Sequence, residues 1–117
     1  MHFKGIIDGT KLGKTCDNTE EDCLVLNIYT PNTNRQTLIP VMFWIYGGGF
    51  TGGNINGANG SALAANDVVF VAANYRLGPF GFLYGGEESA PGNVGLFDQS
   101  LALKWVQNSY QIFYKYI

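Results

Sequence analysis

The sequence predicts an α/β fold, and three stretches predict it. "VMFWIY" (41–46) and "VVFVAANY" (68–75) are continuous apolar runs rich in β-branched and aromatic residues. Such runs suit inner strands buried on both faces. "VGLFDQSLALKWVQNSYQIF" (94–113) has a helical period instead: Ser100, Lys104, Gln107, Asn108 and Gln111 share one polar stripe, as offsets near multiples of 3.6 require. Strands interleaved with helices define the class.

Each element follows from its own residues. In "DCLVLNIYT" (22–30), Leu24, Leu26 and Ile28 alternate with Val25, Asn27 and Tyr29, the pattern of a half-buried strand. "PNTNRQ" (31–36) is a turn-forming linker. The run 41–46 is the first inner strand. The glycine- and asparagine-rich stretch 51–60 is a loop, and 61–66 forms a short helix with Ser61 as its N-cap. The run 68–75 is the second inner strand, parallel to the first, with the short helix in the crossover. "RLGPFGFLYGGEESAPGN" (76–93) reads as a second glycine-rich loop. The helix from Val94 is apolar over most of its circumference and should be deeply packed. It can cover one face of the sheet, and nothing else in the chain is left to cover the other. That mismatch points to a fragment of a larger domain.

Composition narrows the function. The chain has 117 residues, 46% hydrophobic and 14% charged, which suits one small globular domain. A net charge of −2 and the lack of any basic cluster exclude a nucleic-acid footprint. The apolar runs are far shorter than the roughly 20 residues of a membrane span. The opening "MHFKGIIDGTK" has no apolar signal-peptide core, so the chain as given carries no secretion address. His2 is the only histidine beside two cysteines, so no metal site is expected. Cys16 and Cys23 are either two free thiols or a small disulfide loop, which would mark an oxidising compartment. Asn59-Gly60-Ser61 is a glycosylation sequon, a triplet that also arises often by chance.

Chemistry concentrates in "PVMFWIYGGGFTGG" (40–53), where an apolar strand runs into three glycines, an aromatic and two more glycines. Gly47, Gly49 and Gly52 fit the G-x-G-x-x-G dinucleotide pattern. That pattern must open a helix, and "GGNINGANG" does not; Asp67 also falls too early for the acidic partner. The other reading is an oxyanion hole. Acyl transfer builds negative charge on a carbonyl oxygen, and backbone N–H groups aimed at it are each worth on the order of 3 kcal/mol. Consecutive glycines free the backbone for this and leave no Cβ in the substrate's path. A tight loop with no ligand is the plainer alternative.

The surrounding blocks resemble a known family. "EDCLVLNIYTP", "WIYGGGF", "NYRLGPFGFL" and "APGNVGLFDQSLALKWVQ" resemble, in order and spacing, the signature blocks of type-B carboxylesterases, lipases and cholinesterases. The resemblance runs from about Cys16 to Gln107 and implies an N-terminal fragment, residues 1–117, of an α/β-hydrolase domain. It implies that Gly48 and Gly49 donate the oxyanion N–H groups, that Gly47 shapes the turn, and that Phe50 lines the substrate pocket. It matches Cys23 to the second cysteine of the family's first disulfide, and Cys16 to the first across a shortened loop. "DNTEED" in that loop holds no aromatic, so choline specificity is not implied. Glu21 and Asp22 are expected to pair with basic groups, and Asn93, Asp98 and Gln99 to form scaffold around the pocket.

The implied activity is hydrolysis of a small-molecule carboxylic ester through a serine acyl-enzyme, with no metal or cofactor, in a parent protein of the secretory pathway. The departure is that no G-x-S-x-G is present: Ser61, Ser89, Ser100 and Ser109 all lack the flanking glycines. His2 precedes every motif and does not fit the catalytic histidine's place. The chain is therefore expected to be inactive alone. The alternative is a non-catalytic binding or adhesion relative that kept the fold and lost the triad.

Overall fold

The strand β3, Val69–Ala73, is buried at all five positions and organises everything around it. The structure is a computed structural model that describes residues 15–16, 22–31 and 38–109. β1, Leu26–Tyr29, pairs antiparallel with β3, and β2, Val41–Trp44, pairs parallel on its other side, giving the order β1-β3-β2. Ile28 and Phe43 both face Val71 across the ladder.

Alternation along β3 feeds two cores. Phe70 and Ala72 join Tyr46, Ile55, Tyr75 and Leu77, with Val25, Tyr29, Trp44 and Leu63 at the margin. Val69 and Val71 join Val106, with Leu26, Ile28, Val41 and Phe43 at the margin. The two faces of β1 thus serve both cores, and Leu26, Ile28 and Tyr29 are each half-buried, as the alternation predicts. Conversely, β2 is not an inner strand among the described residues. It lies at the edge, and Met42 is 49% exposed. Its apolar run reflects packing on both faces and not a neighbour on both sides.

The face expected to lack cover has one. The crossover from β2 to β3 carries a 3₁₀ turn, Ile55–Gly57, and the helix α1, Ser61–Ala64. Ile55 is fully buried against the first core. Gly60 lies so close to β3 that a Cβ there would strike the Phe70 ring. Ser61 is not the N-cap: Gly60 holds that position with no side-chain bond, and Asn59 Oδ1 accepts the Ser61 N–H at 2.9 Å. A carboxamide reaches the N–H two residues on more readily than the short serine hydroxyl serves its own turn.

The second glycine-rich stretch is not simply a loop. It holds α2, Gly78–Phe82, and a hairpin of β4, Tyr84–Glu87, with β5, Ala90–Pro91. Pro79 sits in the first turn of α2, where its fixed φ and missing N–H cost nothing. The long helix α3 spans Val94–Ser109, and the expected continuation to 113 lies outside the described residues. α3 is also not deeply packed. Gly95, Asp98, Val106 and Ser109 are its buried residues, while Phe97 is 66% exposed and Leu101 53%. Its apolar circumference has cover on one side alone among the described residues. A small mixed sheet with crossover and flanking helices makes this a partial α/β arrangement.

Cys16 and Cys23 form a disulfide, with Cα atoms 5.0 Å apart, which resolves the choice between free thiols and a loop. Asn74 carries that corner into the core: its Nδ2 donates to the Cys23 carbonyl at 3.0 Å, and its Oδ1 accepts the Ile55 N–H at 3.3 Å.

Candidate active site

The glycine run starts from a fixed point. Tyr46 follows β2 and Tyr75 follows β3, at the same end of two parallel strands. Their rings stack at 4.4 Å and 19°. Tyr46 Oη donates to the Tyr75 carbonyl at 3.0 Å, and Tyr75 Oη donates to the Tyr46 carbonyl at 2.7 Å. Tyr46 Oη also accepts the Tyr75 N–H at 3.3 Å. Burial pushes both phenol pKa values up, so both hydroxyls keep the proton that each bond needs.

From Gly47 the backbone folds back on itself. The Gly48 carbonyl accepts the N–H groups of Thr51 at 3.1 Å and Gly52 at 3.2 Å, and the Thr51 hydroxyl at 3.2 Å. Gly48 has φ +137°, and a Cβ there would collide with the Gly52 carbonyl. The steric demand for glycine therefore falls first on Gly48; Gly47 has open space around it. Gly49, at φ +60°, also faces open space. Among the described residues neither the Gly48 nor the Gly49 N–H donates a hydrogen bond, and both residues are exposed. Successive unpaired N–H groups across left-handed backbone are the elements of an anion-binding concavity. A single 3₁₀ turn, Ile55–Gly57, follows the run, and no α-helix opens on these glycines as the dinucleotide arrangement requires.

Phe50 also sits at positive φ, +61°, uncommon for a residue with a side chain. It is held there from both ends. Its carbonyl accepts the Gly78 N–H at 2.7 Å, and its ring lies 4.9 Å from Phe82 and edge-on to Tyr75 at 6.4 Å. Beside it opens a hollow of about 500 Å³ lined by Gly49, Phe50, Pro79, Phe82, Leu83 and Tyr84 among others. Its wall is chiefly apolar, and the exposed Gly49 stands on its rim.

The α2–α3 side is tied to this corner by one ion pair. Asp98 is buried and accepts three hydrogen bonds from Arg76: from Nε at 2.8 Å, Nη2 at 2.8 Å and the backbone N–H at 3.0 Å. Hydrogen bonding to Asp98 raises the Arg76 pKa further above its already high value. The Arg76 carbonyl packs against Gly81 of α2 and Gly95 of α3, where a Cβ on either would collide with it. Asp98 thus joins α3 to the segment that follows β3. Asn93, at φ +56°, starts α3 by accepting the Leu96 and Phe97 N–H groups at 3.0 and 3.1 Å. Gln99 Nε2 is buried with no partner among the described residues. Asp22 is exposed, Glu21 lies outside the described residues, and Asn59 sits exposed in the crossover.

The supporting residues Tyr46, Asn74, Tyr75 and Arg76 went unread in the sequence. A signal existed for Arg76, because Asp98 is the lone acid in a helix otherwise so apolar, and a buried acid calls for a cation. The tyrosine pair gave none, because ordinary strand residues look the same.

The glycine loop, with N–H groups unpaired among the described residues, stands at the end of a strand in a partial α/β scaffold, and that combination defines the class as α/β. The carboxylesterase family model matches residues 4–113, and the chain belongs to that family. It is 55% identical over 94 residues to venom carboxylesterase-6 of Apis mellifera, covering 80% of this chain and 17% of that protein. It is 52% identical over 97 residues to an acetylcholinesterase of Danio rerio, covering 80% and 15%. It is 40% identical over 131 residues to the bile salt-activated lipase of Mus musculus, covering 95% and 22%. The chain thus spans about a fifth or less of the length of these relatives. Among the described residues no helix is long and apolar enough to cross a membrane.

Proposed function

We propose that this chain is the oxyanion-binding portion of an enzyme that hydrolyses small-molecule carboxylic esters through a serine acyl-enzyme. Gly48 and Gly49 supply the N–H groups that hold the charge developing on the ester carbonyl oxygen. Gly47 leads into the turn, and Phe50 forms the wall beside the reacting carbonyl. The observation that supports the reading is that Gly48 and Gly49 are exposed and that neither N–H has a partner among the described residues. The serine, its histidine and the acid come from polypeptide other than these 117 residues, which hold no G-x-S-x-G. On this reading the chain alone does not turn over esters. The Cys16–Cys23 disulfide supports work in the secretory pathway or outside the cell.

The test is a chimera in which this chain's matching 94 residues replace those of the Apis mellifera venom carboxylesterase. The folded chimera should hydrolyse p-nitrophenyl esters, and purified residues 1–117 should not exceed the buffer rate. A folded but inactive chimera, or organophosphate labelling of a serine in the isolated chain, would contradict the reading.

A further inference from the structure

The crossover loop contains an asparagine that neither the cradle nor the core uses. We propose that Asn59 is an N-glycosylation site, occupied when the chain passes through a compartment that supplies lipid-linked oligosaccharide. The inference does not depend on the ester-hydrolase reading.

Four observations converge. Asn59-Gly60-Ser61 has a hydroxyl two positions after the asparagine and no proline between. Asn59 and Ser61 are both exposed, while Gly60 between them is buried against Phe70. The middle residue anchors the triplet, and the two reacting residues flank it at the surface. Asn59 Oδ1 accepts the Ser61 N–H at 2.9 Å, which fixes the carboxamide, and its Nδ2 makes no hydrogen bond among the described residues. Finally, the Cys16–Cys23 disulfide belongs to the oxidising compartments in which this modification occurs.

Its neighbours differ. Asn56 Oδ1 accepts from Asn27 Nδ2 at 3.2 Å, and Asn54 Oδ1 caps the 3₁₀ turn through the Asn56 N–H at 2.9 Å. Neither has a hydroxyl two positions on. Within this loop the geometry and the triplet select Asn59 alone.

The transfer balances without an oxidant or reductant. Asn59 Nδ2 forms a bond to the anomeric carbon of an oligosaccharide carried on a lipid pyrophosphate. The bond from that carbon to the pyrophosphate oxygen breaks, the lipid pyrophosphate leaves with the electron pair, and Nδ2 releases one proton.

The experiment translates the full chain behind an endoplasmic-reticulum leader in the presence of microsomes. The population protected from added protease is then analysed. It should run heavier by one glycan, and peptide N-glycosidase should remove the difference. Asn59→Gln and Ser61→Ala should abolish the shift, and Ser61→Thr should keep it. Ala58→Ser creates a second triplet at Asn56 and serves as the control for access to the transferase. An unshifted protected chain, alongside an Ala58→Ser variant that shifts by one glycan, would overturn the proposal. So would a shift that survives Asn59→Gln. Intact glycopeptide mass is the readout of choice, because an Asn-Gly pair deamidates spontaneously and gains one mass unit without any glycan. The glycosylated chain should also close the Cys16–Cys23 bond. A glycan confined to chains unable to close it would show that the folded surface does not accept the sugar.

Discussion

Tyr46 and Tyr75 hold each other by their hydroxyls: each donates to the other's backbone carbonyl, at 3.0 and 2.7 Å, across rings stacked at 4.4 Å. The pair closes the ends of β2 and β3 at the residue before the glycine run. The Tyr46 ring also lies where a Cβ on Gly53 would fall, so it braces the far end of the same loop. The cradle is flexible in composition but fixed at both ends by one aromatic pair.

Replacing either tyrosine by phenylalanine removes a donor and leaves a buried carbonyl short of a partner. Each change should destabilise the chain by about 1–3 kcal/mol. Tyr46→Phe should cost more, because its oxygen also accepts the Tyr75 N–H. The double variant should cost less than the sum, since the two bonds share one frame. Denaturant midpoints of the four proteins check this.

Alkaline pH should loosen the same lock. Burial raises both phenol pKa values above their ordinary value of 10.0. The folded state then binds more protons than the unfolded state once pH exceeds the unfolded value. The stabilisation is complete below pH 10.0 and is lost as pH rises through the higher folded values. Thermal midpoints between pH 8 and 11 should fall, and less steeply in Tyr46→Phe. A flat profile would count against a buried, proton-holding pair.

Asp98→Ala should cost about 3 kcal/mol, the low end for breaking a buried pair, because the Arg76 side chain is partly open to water. The loss should loosen α3 and α2 together, since Arg76 lies between them. Hydrogen exchange should speed up in 78–82 and 94–99 before it does in β3.

Removing the disulfide by Cys16→Ala with Cys23→Ala should lower stability by at most about 2–3 kcal/mol, because the closed loop is short. Asn74 still binds the Cys23 carbonyl, so β1 should stay paired. Loss of β1 pairing in amide exchange would show that the bond does more than close a loop.

The isolated chain should self-associate. Phe97, Leu101, Leu103 and Trp105 are 42–66% exposed on one helix, with Phe80, Leu83 and Tyr84 exposed on the neighbouring segment. Phe97→Lys with Leu101→Glu should lower light scattering at tens of micromolar without lowering the thermal midpoint. A sharp, monomeric wild-type chain in sedimentation would contradict this.

What the sequence made legible follows from how local each signal is. The parallel pairing of 41–46 with 68–75 was readable because continuous apolar runs and a short crossover leave few alternatives. The family was readable because four ordered blocks are far more specific than any periodicity. Burial was less legible. β2 reads as an inner strand because Phe43 and Trp44 pack on both faces, and the pattern does not report an open edge. α3 reads as deeply packed because it is apolar over most of its circumference, whereas among the described residues its buried positions are Gly95, Asp98, Val106 and Ser109. The helix at Gly78–Phe82 was hidden by its glycines, since Pro79 and the Arg76 packing, not propensity, hold it. Within the site, the glycines announced themselves and their supports did not. A hydroxyl that bonds a carbonyl 29 positions away leaves no trace in spacing.

Whether the Gly48 and Gly49 N–H groups hold an oxyanion, as proposed, is decided by the kcat of two loop variants in the chimera. Gly52→Ala meets open space at an ordinary φ and should leave kcat within about twofold, as an exposed substitution away from the chemistry does. Gly49→Ala also meets open space, but places a Cβ on left-handed backbone at the proposed donor. It should lower kcat by roughly 10²-fold with little change in KM, the mark of an interaction made in the transition state. Equal kcat in the two folded variants would contradict the account.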